Sequence, residues 1–209
     1  MDRGGNQRRT QVSDVELGIA VSLAQQGDEE AFARAYRLVH PGLLGYLRGL
    51  VGDDAEDVAS DAWLEIARDL RRFRGDGAGF RGWTATIARN RALDHLRKQK
   101  RRPRMSLIEQ DVLELPGRAD TVETVFESMS TQWALGQLAE LPPDQAEAVL
   151  LRVVVGLDGP STARVLGKRP GAVRTAAYRG LKRLAEQLTS GSRAENAAPA
   201  ASGTLRDET

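Results

Sequence analysis

Apolar residues recur at helical spacing through almost the whole chain. Phe32, Ala35, Tyr36, Val39, Leu43, Tyr46, Leu47 and Leu50 form one stripe, in which Pro41 withdraws an amide donor and predicts a bend. Ala55, Val58, Ala59, Ala62, Trp63, Ile66, Ala67 and Leu70 form a second. Further on, Ala85, Ala88, Ala92 and Leu96 share one helical face, while Trp83, Ile87, Asn90 and Asp94 share another. These stripes predict the helices of one bundle.

A second helical unit follows. Ala134, Leu135, Leu138 and Leu141 predict a short helix, which Pro142 and Pro143 break and restart. Ala146, Val149, Leu150, Val153, Val154 and Leu157 supply the next stripe. The run Val153 to Val155 has strand character, but apolar positions at helical spacing after an N1 proline outweigh it. The last unit predicts a helix-turn-helix. A short helix from Pro160 to Leu166 stops at Gly167, which suits a left-handed cap, and Pro170 opens a longer helix through Leu188. Val173, Ala177, Leu181 and Leu184 predict its buried side. Arg169, Arg174, Thr175, Tyr178, Arg179 and Lys182 then face outward, a mixture of phosphate-binding charges and polar side chains suited to a DNA major groove.

The remaining segments lack such stripes. Residues 1–13, polar and rich in Gly, Arg and Gln, predict a mobile, disordered N-terminus, and residues 191–209 have the composition of a disordered tail. Residues 103–130 hold Pro103 and Pro116 and carry Glu109, Asp111, Glu114, Asp120, Glu123 and Glu127 against little base. They predict a flexible acidic linker. The expected architecture is all-α: two small helical domains, 14–102 and 131–190, joined by that linker.

Composition narrows the chemistry. At 209 residues, with 41% hydrophobic and 28% charged residues, the chain reads as an ordinary globular protein. No apolar run approaches the roughly 18 residues of a membrane span, and the basic N-terminus leads into no hydrophobic signal segment. A cytoplasmic protein without membrane insertion is expected. The chain has no cysteine, which excludes disulfides and thiolate catalysis, and its two histidines, His40 and His95, make a poor metal set. The expectation is therefore of no metal and no cofactor, with function resting on binding or on carboxylates.

A net charge of +1 conceals a reversal. The acidic helix Asp53 to Leu70 runs directly into the basic stretch Arg71 to Arg104, which suggests two partners, a basic protein surface and a nucleic acid. Asp53, Asp54 and Glu56 complement the positive end of a helix. Asp57, Asp61, Leu64 and Arg68 continue as an outward stripe with a leucine in it, the pattern of a protein-docking surface. In the basic stretch, Phe73, Phe80 and Trp83 surround the Gly75, Gly77, Gly79 segment among Arg72, Arg74 and Arg81. Aromatics among cations stack unpaired bases while holding their phosphates, at roughly 1 to 3 kcal/mol per base. Asn90, Arg91, Arg97, Lys98 and Arg101 extend this face along the helix. Blander readings exist: a solvated basic face, core packing for Trp83, and a magnesium-diphosphate DDxxD motif in Asp53, Asp54 and Asp57. The last lacks the second acidic motif and the large apolar cavity such an enzyme needs.

These residues resemble the extracytoplasmic-function (ECF) sigma factors of the bacterial sigma-70 family, over about residues 28–102 and 131–188. DDAEDVASDAWLEIA is similar to the family's region 2 helix that binds core RNA polymerase. By that resemblance Asp57, Asp61 and Leu64 grip the clamp-helix coiled coil of the largest catalytic subunit. FRGDGAGFRGWTATIARNRALDHLRKQKRR resembles the segment that melts the promoter and reads its −10 element, and LAELPPDQAEAVLLRVVVGLDGPSTARVLGKRPGAVRTAAYRGLKRL resembles region 4, which binds the −35 element. The chain departs from the family in a longer glycine loop, in Ser60 where glutamine is common, in Thr162 where isoleucine packs, and in Ala176 where arginine is frequent. The resemblance implies a non-enzymatic, dissociable promoter-specificity subunit that works with core polymerase and promoter DNA and is held by an anti-sigma factor. A stand-alone helix-turn-helix regulator is the alternative; it accounts for residues 143–188 and leaves the acidic stripe and aromatic segment without a role.

Overall fold

The computed structural model describes residues 3–101, 134 and 136–195, with side chains between Ser13 and Thr189 of these. All regular structure among them is helical. The expected acidic linker and the end of the tail, residues 196–209, lie outside the described residues.

Helix α1 (Arg3–Gln25) begins inside the segment whose composition predicts mobility. Its second half buries Leu17, Ala20, Val21 and Ala24. Once those turns are docked, extending the helix outward fixes one residue per hydrogen bond, which is far cheaper than nucleating it. Asp28 caps α2 (Glu29–Val51) by accepting from the Ala31 amide at 3.0 Å, and Gly52, at φ 62°, ends it. Pro41 sits inside α2 on its exposed side.

A 3-10 turn, Gly52–Asp54, leads into α3 (Ala55–Asp69). Its predicted stripe is buried except at Ala67, which is exposed. Helix α4 spans Gly77–Arg101, so the expected glycine loop contracts to the residues before Gly77. The Asp76 side chain makes this possible by accepting from the Gly79 amide at 2.7 Å, while its carbonyl accepts from Phe80. Gly77 is also where α4 meets α1, and any side chain there would collide with the Asp14 carbonyl.

In the C-terminal unit, α5 (Pro143–Val149) starts on its N1 proline and continues into a π-helical turn, Leu150–Val154. Val153 and Val154 of the β-branched run are thus helical, in a wider coil than α, and Val155 caps the turn. Asp158 caps α6 (Gly159–Leu166) by accepting from the Ser161 amide at 2.7 Å. Partial burial pushes its carboxyl up, but the Ser161 donors, with Arg164 and Arg152, outweigh that and hold it below the usual carboxylate range. Gly167, left-handed at φ 63°, closes the turn before α7 (Pro170–Glu195), which runs past its expected end at Leu188. Val173 and Ala177 are buried as expected, but Leu181 is 46% exposed. The seam drifts instead to Gly180, where an added Cβ would lie 2.8 Å from Val149 Cγ2. The helix leans in on its glycine and turns Leu181 outward.

The two units share one core. Leu43, Tyr46, Leu47 and Phe80 from the first and Leu150 and Leu151 from the second are all at most 1% exposed within it.

Candidate functional site

On α3 the inward face is locked and the outward face is bare. Trp63 donates its indole N–H to His40 Nδ1 at 3.1 Å, and His40 stacks on Tyr36 with ring centroids 4.5 Å apart. Burial lowers the proton affinity of His40, in keeping with a neutral ring whose Nδ1 accepts. Asp54 turns to α4, where His95 Nε2 lies at 3.0 Å and the Gln99 amide donates at 2.7 Å. Outward stand Asp57, Asp61 and Arg68, all exposed, and Leu64, which is 71% exposed. Arg68 pairs with its neighbour Asp69 at 3.2 Å, whereas Asp57 and Asp61 have no basic partner among the described residues. Two uncompensated carboxylates beside a bare leucine, on a helix held rigid from behind, form an acidic-apolar docking strip.

The aromatic group is a packing unit with one free edge. Phe73, Phe80 and Trp83 lie with centroids 5.2 to 5.6 Å apart. Phe80 is wholly buried, Phe73 is 8% exposed, and Trp83 is half-buried. Gln25 pins this end of the bundle by donating to the Leu70 and Phe73 carbonyls at 2.9 and 2.8 Å.

Arg81, expected to face nucleic acid, is consumed internally. It donates to Asp14 at 2.7 Å, to the Ser13 hydroxyl at 2.6 Å and to the Leu38 carbonyl at 3.3 Å, tying α1 and α2 to α4. In this structure Phe80 and Arg81 therefore serve packing, a departure from the sequence expectation. The other cations stay at the surface. Arg74 donates to the Arg71 and Phe73 carbonyls at 2.7 and 2.8 Å, and Arg72 has an 86% exposed side chain 3.5 Å from Asp69. Arg91 pairs with Glu65 at 2.6 Å and Arg97 with Asp94 at 2.8 Å, while Asn90, Lys98 and Arg101 are exposed.

The outward face of α7 is as expected. Arg169, Arg174, Thr175, Arg179 and Lys182 are exposed, and Tyr178 is 69% exposed. Thr162, fully buried, resolves its own polarity by donating to the Asp158 carbonyl at 2.7 Å, so a hydroxyl is accommodated where the resemblance expects isoleucine. Ala176 is half-buried against the core, away from the exposed cationic face.

Sequence reasoning missed a polar junction between the units. Glu147 accepts from the Tyr46 hydroxyl at 2.9 Å and from Arg89 Nε at 2.7 Å. The hydrogen bond to Glu147 strengthens the proton affinity of Arg89 against its desolvation, and burial beside Glu147 pushes the Tyr46 phenol far up. These residues lie 101 and 58 positions apart in the chain, and no local pattern links them.

The family model described as Sigma-70 region 2 matches residues 31–102, and that described as Sigma-70, region 4 matches residues 131–184. The chain is 35% identical over 171 residues to the ECF RNA polymerase sigma factor BldN of Streptomyces coelicolor, covering 80% of this chain and 64% of that protein. It is 35% identical over 179 residues to ShbA of Streptomyces griseus, covering 80% of this chain and 93% of that one. SigM of Mycobacterium tuberculosis is 35% identical over 187 residues, covering 88% of each. Among solved structures, CnrH in complex with the cytosolic domain of CnrY aligns with a TM-score of 0.59 at 22% identity, over 85% of this chain and 98% of that one. The sigma factor RpoE, in complex with the anti-sigma factor NepR from Bartonella quintana, gives 0.57 at 24%, over 76% and 96%. These two likenesses show the fold. With both sigma regions matched in order and relatives 35% identical over 80 to 88% of this chain, the chain belongs to the ECF RNA polymerase sigma factors of the sigma-70 family.

Proposed function

We propose that the chain is a dissociable promoter-specificity subunit that binds core RNA polymerase through α3, engages the −10 region through the outer surface of α4, and reads the −35 element with α7. The single observation that carries this reading is the pairing, in one chain, of an uncompensated acidic-apolar strip on α3 with separate cationic faces on α4 and α7. A lone regulator has no use for the first of these. Asp57, Asp61, Leu64 and Arg68 form the polymerase contact. Arg72, Phe73, Arg74, Trp83, Asn90, Arg91, Arg97, Lys98 and Arg101 form the −10 face, with Trp83 as its exposed aromatic edge. Arg169, Arg174, Thr175, Tyr178, Arg179 and Lys182 form the −35 face.

The chain is not proposed to catalyse a reaction; polymerase supplies the chemistry, and the work is done in the cytoplasm. RpoE is seen bound to an anti-sigma factor. We infer a partner of that class here.

Two substitutions test the DNA faces. In Arg174→Ala holoenzyme, −35 binding weakens and the slope of log K against log salt falls by about one unit, as expected for one lost phosphate contact. An unchanged slope removes Arg174 from the interface. Trp83→Ala slows open-complex formation more than closed-complex binding, read by permanganate reactivity of the melted strand. Equal losses in both steps assign Trp83 to packing alone.

A further inference from the structure

The second half of α1 buries Leu17, Ala20, Val21 and Ala24, yet a second row of apolar residues on the same helix faces outward. Val15, Ile19 and Leu23 stand one turn apart and are 65%, 60% and 43% exposed. They line a groove of about 920 Å³ between α1 and α2, together with the buried Ala20 and Ala31. Three large apolar side chains left in water on one ridge form a patch, not scattered surface residues. The lips of the groove carry both signs of charge, with Arg34 3.3 Å from Glu16 and Arg37 2.9 Å from Glu30.

Two properties of this row select its occupant. Ile19 is the midpoint, with Val15 and Leu23 four residues to either side, so turning the row end for end about Ile19 restores the same apolar spacing. An antiparallel copy of α1 laid along it sets Ile19 on Ile19 and Val15 on Leu23, the self-matching arrangement that a two-fold interface requires. The ends of the row differ in charge. Residues 3–12 of α1 carry Arg3, Arg8 and Arg9 and no acid. The other end leads through Gly27 to Asp28, Glu29 and Glu30, all exposed, and among the described residues only Glu30 of these has a basic partner, Arg37. In the antiparallel pair residue 13 of one helix lies opposite residue 25 of the other, so residues 3–12 run on past the end of the facing α1 for about 15 Å at 1.5 Å per residue. That carries Arg8 and Arg9 of one copy to the acidic turn of the other, and the two-fold repeats the contact at the opposite end.

We propose that α1 is a self-association surface: two copies of the chain pair through antiparallel α1 helices, the Val15, Ile19 and Leu23 row of each filling the α1–α2 groove of the other. Helix α1 packs on α2 and α4, and α3 packs on the same two helices across the bundle from α1, so pairing leaves the Asp57, Asp61 and Leu64 strip uncovered. The pairing does not rest on the function proposed above.

Sedimentation of the full chain over a range of micromolar concentrations is expected to show a monomer–dimer equilibrium. Ile19→Arg, which places a charge on the two-fold axis at an exposed position, is expected to weaken the dimer at least tenfold with unchanged helix content by circular dichroism. Arg8→Glu combined with Arg9→Glu is expected to weaken it at least fivefold. Because the chain has no cysteine, introduced thiols report the register. On mild oxidation I19C is expected to cross-link to itself. A mixture of V15C and L23C is expected to cross-link at least tenfold faster than V15C alone, because two copies of residue 15 lie about 12 Å apart along the antiparallel pair, beyond disulfide reach. A chain that stays monomeric at every concentration, a dimer indifferent to Ile19→Arg or to the arginine reversals, or V15C that pairs with itself as fast as with L23C would overturn the proposal.

Discussion

Replacing Asp61 with arginine abolishes association with core RNA polymerase while leaving the fold intact. Asp61 is exposed, lies one turn from Asp57 and beside Leu64, and no basic side chain among the described residues neutralises it. Its charge is therefore available to a partner. Reversing it against a basic surface replaces an attraction by a like-charge clash worth several kcal/mol. A loss of about 3 kcal/mol weakens affinity by more than a hundredfold. The inward face of α3, with Trp63 bonded to His40, does not sense the change, so thermal unfolding shifts by no more than about 0.5 kcal/mol equivalent, as for other surface substitutions. Co-purification checks the first expectation and a melting curve the second. Undiminished binding by a folded Asp61→Arg protein would remove the strip from the polymerase interface.

Phe80→Ala destabilises the chain by about 3 to 5 kcal/mol, the range for deleting a buried aromatic ring. Phe80 is wholly buried, lying edge-on to Phe73 and tilted against Trp83. Such a loss is a large share of the 5 to 15 kcal/mol that typically holds a domain together. Because all three rings interlock, the defect also loosens Trp83, so chemical denaturation followed by tryptophan fluorescence reports it directly. The substitution separates two roles for the aromatic segment. A variant of unchanged stability that fails only in strand opening would return Phe80 to the base-stacking role expected from sequence.

Local chemistry made much of this fold readable. Pro143, Gly167 and Pro170 mark the boundaries of α5, α6 and α7 because each acts on its own backbone, through a missing amide or a left-handed φ. The stripe in α3 is readable for the same reason, since its helical spacing puts Val58, Ala62 and Ile66 inward and Asp57, Asp61 and Leu64 outward. Three glycines suggest a loop before α4, whereas the Asp76 side chain starts the helix at Gly77 and leaves only Gly75 outside it. Arg81 reads as a free cation from sequence because its partner, Asp14, is 67 residues away and charge alone does not show who neutralises it. The glycines of α2 carry no pattern until the C-terminal unit is seen lying against them. Long-range pairing is what one-dimensional spacing leaves out, and here it decides which cations stay at the surface.

The most direct test is promoter-fragment binding measured in one assay, at one salt concentration, for the chain alone, for core RNA polymerase alone and for the two together. The expected result is weak binding by either component and tight, sequence-selective binding by the mixture, with melting around the −10 element. Tight and selective binding by the chain alone, or a mixture no better than core polymerase, would contradict the account.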